Sequence, residues 1–156
     1  MAIEIEHKFL LANEKWRDYI DHSAKMRQGY LTSNSNSSVR VRISGEKAWL
    51  NIKSATAGNQ RYEYEYEIPV HDADEIIGNL CRKPLIEKTR HYVYQENHTW
   101  EIDEFSGENK GLIVAEIELS KQNEVFTIPN WIGKEVTDDL RYYNNKLSQH
   151  PYNIWK

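Results

Sequence analysis

The chain has 156 residues, of which 39% are hydrophobic and 28% are charged, a composition typical of one folded domain rather than of a disordered chain. The net charge of -4 gives no overall attraction to nucleic acid or to an anionic membrane, and no apolar run is long enough to span a bilayer. The single cysteine, Cys81, excludes an internal disulfide, and no signal-peptide pattern is present. These features predict a cytoplasmic protein with one domain, residues 1–156.

Eight segments in which apolar and polar residues alternate predict β-strands. They are residues 3–10, 28–31, 38–43, 48–54, 61–69, 86–94, 99–105 and 111–119. Turn-forming residues separate most of them, for example the Ser/Asn run at residues 33–38. Eight short strands with such connections predict a mostly antiparallel α+β fold, either a barrel or a pair of sheets.

Three helices are predicted between or after these strands. Asn13 can cap the first, because an apolar stripe with helical spacing follows it. Asp72 and Glu75 have the spacing of a capping box and predict a second helix. A third is predicted near residues 141–149, before Pro151. We expect the helices to pack on the outside of the strands.

The polar residues are sorted by strand, because whole strands carry one sign of charge on one face. The residues that share a face are Glu4, Glu6 and Lys8; Arg40 and Arg42; Asn51 and Lys53; Glu63, Glu65 and Glu67; Lys88 and Arg90; Glu101 and Asp103; and Glu116 and Glu118. A solvated sheet face is the usual explanation for any one such pair. Repeated like charges about 7 Å apart favour instead a ligand of opposite charge held between strands.

The opposite faces carry apolar and aromatic residues such as Tyr62, Tyr64 and Trp100, which we expect helices to cover. The charged faces would then point into a barrel, whose interior can hold one small ligand when about eight strands close it. Because unpaired buried charge is very unfavourable, this interior should be a wet tunnel. Clustered carboxylates favour Mg²⁺ or Mn²⁺ over Zn²⁺, and arginine and lysine suit phosphate groups. A metal, several cations and water together suit phosphoryl transfer, which is the predicted chemistry of the tunnel. Because no P-loop is present, we do not expect a phosphate cradle at a helix N-terminus.

The motif EIEHK at residues 4–8 resembles the N-terminal signature of the CYTH superfamily, the triphosphate tunnel metalloenzymes. The resemblance continues in order through QGYL, VRVR, WLNIKS, RYEYEYEIP, EKTRHYV, WEIDEF, VAEIEL and GKEVTDDLRYYNNKLS, and so covers nearly the whole chain. It implies a closed eight-stranded antiparallel tunnel with helices outside, and an enzyme that acts on triphosphates with a divalent metal.

The resemblance also implies roles for individual residues. The implied metal ligands are Glu4, Glu6, Glu116 and Glu118, with Glu63, Glu65 and Asp103 as supporting carboxylates. The implied phosphate-binding residues are Lys8, Arg40, Arg42, Lys53, Lys88 and Arg90. Tyr30 would bond to Lys53 and help to activate water, or would simply pack in the core. Arg141 would close one tunnel end or form a local salt bridge, and Glu67 and Glu101 would lie at the tunnel rim or on an exposed face.

The expected activity is hydrolysis of inorganic triphosphate to diphosphate and phosphate, with Mg²⁺ or Mn²⁺ as cofactor. The alternatives are a class IV-type adenylyl cyclase, a thiamine triphosphatase, or a non-catalytic module that binds polyphosphate or nucleotide. The expected partner is a small triphosphate, without nucleic acid or membrane, and a homodimer is possible through exposed aromatic residues.

Overall fold

The computed structural model describes residues 3–55 and 58–155. Its strands in these ranges are β1 (Ile3–Leu11), β2 (His22–Ser33), β3 (Ser37–Ser44), β4 (Lys47–Ser54), β5 (Gln60–Ile68), β6 (Ile86–Gln95), β7 (His98–Phe105), β8 (Ile113–Leu119) and β9 (Ile132–Glu135). Its α-helices are α1 (Val70–Asn79) and α2 (Asn144–Leu147), and its 3₁₀ helices are Lys15–Tyr19, Gly107–Asn109, Leu140–Tyr142 and Tyr152–Ile154. Among the described helices, none has the length and apolar character needed to cross a membrane.

Eight of the strands close into an antiparallel barrel. Hydrogen bonds join them in the order β5-β4-β3-β2-β6-β7-β8-β1, and β1 then pairs with β5 to complete the ring. In this closing pair Glu4 lies opposite Arg61. Farther along β1, the additional strand β9 pairs with it at Phe9 and Leu11. The predicted closed barrel is therefore confirmed, and the alternative of two separate sheets is wrong.

All eight predicted strands are present, although one is longer than predicted and the structure has one more. β2 begins at His22 rather than at residue 28, and β9 was not predicted. The first predicted helix is a 3₁₀ helix, with the side chain of Asn13 accepting a hydrogen bond from the Lys15 amide. The predicted capping box is wrong, because α1 begins after Pro69 and has no side-chain cap. The third helix spans only Asn144–Leu147.

Two apolar clusters lie on the outer face of the barrel. In the larger one, strand residues such as Phe9, Trp100 and Ile117 pack with Trp16 and Trp131 from the connections. In the second, α1 covers Val41 and Ala48 of neighbouring strands. Burial of these faces is the main favourable contribution to folding, and it fixes which side of each strand points inward.

The outer face of β5 is not covered as predicted. Its three tyrosines, Tyr62, Tyr64 and Tyr66, are 56%, 47% and 55% exposed. The expectation that helices cover every apolar face is therefore wrong for this strand, because α1 packs mainly against β3 and β4.

A third apolar cluster fills one end of the barrel. It consists of Tyr30, Ile86, Phe105, Leu112, Val114 and Leu147. Three of these residues are cross-strand partners of inward charged residues: Tyr30 of Arg40, Phe105 of Lys88, and Val114 of Asp103. Since directly paired residues lie on the same face of a sheet, these side chains point inward too. This end of the interior is a dry core, which the charge pattern did not predict.

Candidate active site

The remaining interior of the barrel is a cavity of about 260 Å³. Thirteen of its fourteen lining residues are charged: Glu4, Glu6, Lys8, Arg40, Arg42, Lys53, Arg61, Glu63, Glu65, Arg90, Glu101, Glu116 and Glu118, and the other is Asn144. Among the described residues, no apolar or aromatic side chain lines it. The barrel therefore encloses a small cavity suited to a charged ligand.

Strand register explains how side chains from so many segments converge. Glu6 and Lys8 of β1 lie opposite Glu118 and Glu116 of β8. On the other side, Asn51 of β4 connects Arg40 of β3 with Glu65 of β5. Each pair lies on one sheet face, and alternation carries the next charged residue to that same face two positions later.

Carboxylates crowd the β1 and β8 side of the cavity. Burial and the neighbouring Glu116 raise the pKa of Glu6 to about 7. Burial, with Glu4 and Glu101 nearby, likewise raises the pKa of Glu118 to about 7. Glu4 differs: burial opposes its ionisation, but Lys53 and Arg61 lower its pKa to about 2. Burial is the larger cause of the two raised values and the neighbouring carboxylates add to it, a condition that favours a further cation.

The cations of the cavity differ in how fully they are paired. Lys8 is almost completely buried, and its Nζ atom lies 2.6 Å from Oε1 of Glu116. Arg42 contacts Glu65 at 3.3 Å, yet burial and the nearby Arg40 and Arg90 lower its pKa to about 10. Such crowded guanidinium groups are suited to an anion that brings additional negative charge.

The donor chemistry of this cavity fits a hard divalent cation, because its carboxylates supply only oxygen ligands. Glu4, Glu6, Glu116 and Glu118 all line it. Within residues 3–55 and 58–155, however, no group of three or more His, Cys, Asp or Glu side chains is arranged to hold a metal ion. Glu4, Glu6 and Glu116 instead contact lysine or arginine, so their present rotamers satisfy protein cations.

Four of the predicted site residues lie outside the cavity lining. Asp103 is 1% exposed and accepts hydrogen bonds from Lys88 at 2.7 Å and from Arg90 at 2.7 and 2.9 Å. Lys88 is buried with it, and Tyr30 lies in the internal apolar cluster. Asp103 thus binds protein cations, a structural arrangement that differs from the supporting metal ligand we expected.

Arg141 lies on the outside of the barrel. Its side chain is 61% exposed and forms an ion pair with Asp139 at 2.7 Å. Its guanidinium also lies over the rings of Tyr142 and Trp155, at 5.5 and 5.1 Å from their centroids. Of the two roles considered, the structure shows the local salt bridge rather than closure of the tunnel.

Sequence reasoning missed two residues of the cavity lining, Arg61 and Asn144, and gave no role to Asn51, which it had placed on the inward face with Lys53. Arg61 lines the cavity and contacts both Glu4 and Glu6. The alternation of β5 could have revealed it, because Arg61 is two positions before Glu63 and shares its face. Asn51 donates to Glu65 at 2.7 Å, while Asn144 reaches the lining from α2 and carries no periodic signal.

Of the two residues whose position was left open, Glu101 lines the cavity and contacts Arg90 at 3.4 Å. Glu67 is exposed and does not line it. Glu101 is therefore one of the carboxylates that line the tunnel, and Glu67 is an exposed residue of β5.

The barrel and its charged interior define the class of protein. The chain belongs to the CYTH domain family, whose match spans residues 2–152. Over 156 residues it is 47% identical to an inorganic triphosphatase of Acetivibrio thermocellus, covering 100% of this chain and 99% of that protein. It is also 35% identical to an inorganic triphosphatase of Nitrosomonas europaea over 149 residues, 93% of this chain and 96% of the relative. A crystal structure of an inorganic triphosphatase matches with a TM-score of 0.65 and 33% identity, over 93% of this chain and 97% of that one.

Proposed function

We propose that this protein hydrolyses inorganic triphosphate to diphosphate and phosphate with the help of a divalent cation, Mg²⁺ or Mn²⁺. The observation that carries the proposal is the cavity lining, which combines six cationic and seven acidic side chains around about 260 Å³. Pockets for organic ligands usually measure about 300–1,000 Å³ and are lined mainly by apolar groups. A bare polyanion with a metal ion suits this smaller, fully polar space.

The same lining argues against the organic triphosphates. An adenylyl cyclase needs a surface that holds adenine, and a thiamine triphosphatase needs one for the thiamine rings. Rings of this kind are normally held by apolar or aromatic groups. The described residues offer none in the cavity lining. The two inorganic triphosphatases with 47% and 35% identity point to the same substrate.

The cationic side chains bind and orient the substrate in this proposal. Arg40, Arg42 and Arg90 all line the cavity, close enough for Arg40 and Arg90 to lower the pKa of Arg42, and would contact the phosphate oxygens. Their fork-shaped donors match pairs of such oxygens. A neutral or singly charged ligand would not compensate this charge, whereas a triphosphate would. The charge that develops on the leaving diphosphate would be stabilised by the same groups.

Lys53 is the proposed group for activating water, whereas Tyr30, its predicted helper, lies outside the cavity lining. Burial, together with the charge of Arg40, lowers the pKa of Lys53. A lowered pKa increases the fraction of neutral lysine, and a neutral lysine can accept a proton from the attacking water. The water oxygen then bonds to the terminal phosphorus, and the bridging P–O bond breaks so that diphosphate leaves with the electron pair. Tyr30 faces the same side of the sheet as Arg40, from within the apolar cluster.

The proposed metal ligands are Glu4, Glu6, Glu116 and Glu118, with Glu63 and Glu65 in support. When bound, the divalent cation would neutralise phosphate charge and polarise the phosphoryl group. The carboxylates must first release their lysine and arginine partners. We also propose a cytoplasmic location and a triphosphate as the small-molecule partner. A homodimer could form through the exposed tyrosines of β5.

Phosphate release from triphosphate, ATP and thiamine triphosphate, each with Mg²⁺, Mn²⁺ or EDTA, tests the proposed function. We expect rapid release from triphosphate with metal, little from the other two substrates, and none in EDTA. Formation of cyclic AMP from ATP would favour a cyclase, and preferred hydrolysis of thiamine triphosphate would favour that enzyme. Tight binding of triphosphate without turnover would contradict catalysis and favour a binding module.

A further inference from the structure

Arg61 occupies the space between two of the proposed metal ligands. Its Nε atom lies 3.3 Å from Oε1 of Glu4, and its Nη2 atom lies 3.1 Å from Oε1 of Glu6. All three side chains are about nine-tenths buried, with exposed fractions of 11%, 10% and 7%. The guanidinium thus bridges two carboxylates that a divalent cation would also need.

The surroundings of Arg61 hold it in this position. It lies opposite Glu4 in the short pairing of β1 with β5 that closes the barrel. Its guanidinium lies 4.9 Å from the ring centroid of Tyr143. The Tyr143 hydroxyl donates to the carbonyl oxygens of Thr137 at 2.7 Å and Gly58 at 3.1 Å, which fixes the ring. A cation stacked on an anchored aromatic ring and paired with two carboxylates is a built contact.

Lys8 and Lys53 also contact the carboxylates, but neither bridges this pair so closely. Lys53 reaches Glu4 at 3.5 Å, and Lys8 reaches Glu6 at 3.6 Å while bonding chiefly to Glu116. Of these cations, Arg61 makes the shorter contact with both Glu4 and Glu6. It is therefore the side chain whose charge a metal ion on Glu4 and Glu6 would replace most directly.

A second pocket gives the displaced side chain a place to go. Arg61 also lines a cavity of about 410 Å³ beyond the tunnel, together with Tyr143. Hydroxyl and amide groups from Ser33, Asn34, Asn145 and Gln149 contribute to its lining. Among its described lining residues none is acidic, and Lys146 is the one other cation besides Arg61. The oxygens of the hydroxyl and amide groups can accept hydrogen bonds from a guanidinium that has left the carboxylates.

We propose that Arg61 is a resident counter-cation for Glu4 and Glu6, which a divalent ion must displace toward the second pocket in order to bind. The inference rests on the proposed metal-dependent function. It gives Arg61 two effects: it keeps the carboxylate pair compensated in the metal-free chain, and it weakens the binding of the metal by competing for the same oxygens. It is a positioning residue and does not itself contact the reacting atoms.

Direct binding of Mn²⁺ tests this role without measuring activity. Electron paramagnetic resonance of free Mn²⁺ gives the concentration for half-saturation, and thermal unfolding in EDTA gives the stability of the metal-free chain. Arg61→Gln should bind Mn²⁺ about tenfold more tightly than the wild type, a change of about 1.4 kcal/mol. It should also unfold at a lower temperature in EDTA, and added Mn²⁺ should recover most of that loss.

Arg42→Gln is the matched control, because it removes one cavity arginine that contacts Glu65 rather than Glu4 or Glu6. A clearly smaller gain in Mn²⁺ affinity is expected for it. Equal or weaker Mn²⁺ binding by folded Arg61→Gln would overturn the inference, and so would an equal gain in both variants. If the wild type itself binds no Mn²⁺, the metal-dependent function fails as well.

Arg61→Lys keeps the test decisive if the glutamine variant does not fold without metal. Lysine retains the charge but cannot bridge two carboxylates as a guanidinium does. We expect this variant to fold in EDTA and to bind Mn²⁺ about threefold more tightly than the wild type, a smaller gain than for glutamine. Binding no tighter than that of the wild type would overturn the inference.

Discussion

Replacing Asp103 with asparagine should destabilise the protein strongly. Its carboxylate accepts one hydrogen bond from Lys88 and two from Arg90, at 2.7 to 2.9 Å. The exposed side-chain fractions are 1% for Asp103 and Lys88 and 9% for Arg90. The variant leaves Arg90 with Glu101, at 3.4 Å, as its ion-pair partner among the described residues, and Lys88 with only the longer-range charge of Glu116.

Removing one partner of a buried ion pair costs about 3–5 kcal/mol. We expect the lower end, about 3 kcal/mol, because Lys88 can respond by losing its proton. Burial, only partly offset by Asp103, already lowers the pKa of Lys88 to about 7. Without Asp103 that pKa falls further, so the folded variant binds fewer protons than the folded wild type just below neutral pH. The stability difference should therefore widen as the pH is lowered from about 8 to about 6.

Urea unfolding followed by tryptophan fluorescence measures this difference, since the chain contains five tryptophans. Asp139→Asn is the control, because it removes a carboxylate from an ion pair whose arginine, Arg141, is 61% exposed, and it should change stability little. A loss of less than about 1 kcal/mol for Asp103→Asn would refute the reasoning. Loss of metal binding with normal stability would instead return Asp103 to the metal ligands.

Three further predictions address the cavity and the packing. Arg42→Gln should raise the KM for triphosphate about tenfold or more, since a hydrogen bond to a charged group contributes about 1.5–3 kcal/mol; an unchanged KM in phosphate-release assays would remove Arg42 from the phosphate-binding residues. Without metal, the free energy of unfolding should fall as the pH rises from about 5 to about 7, because folded Glu6, with its pKa raised to about 7, keeps a proton that the unfolded chain loses. Glu6→Gln should flatten this slope in urea titrations, and an unaltered slope would contradict the crowding of the carboxylates. Gly29→Ala should cost about 1–3 kcal/mol, because its new methyl group would lie 2.7 Å from Cβ of Cys81, whereas Gly78→Ala in α1 meets nothing within 4 Å and should be neutral or stabilising; equal urea midpoints for both variants would contradict this packing.

The strands and their inward faces could be predicted because alternation records which side of a strand is buried. Glu4, Arg42 and Glu116 were assigned to the tunnel on this basis, and the structure brings them to one cavity. Arg61 was not predicted because β5 was interpreted as an acidic strand from Glu63 onward, although Arg61 and Glu63 follow the same period of two.

Depth along the barrel axis is what alternation does not encode. Glu101 and Asp103 share a face of β7, and positions two apart are separated by about 7 Å. Glu101 lines the cavity, while Asp103 is buried beyond it with Lys88. The alternation pattern is the same for these two carboxylates. Their environments differ because Tyr30 and Phe105 fill the end of the barrel where Asp103 lies.

The surroundings of the buried carboxylates differ along the barrel axis. Near the apolar end, Asp103 forms buried ion pairs with both Lys88 and Arg90, so its carboxylate oxygens are already used by protein cations. Nearer the open cavity, burial and then the neighbouring carboxylates raise the pKa of Glu6 and Glu118 to about 7, so a further cation on this side would be favourable. The carboxylates with raised pKa therefore line the open cavity, which is where we propose that the ligands bind.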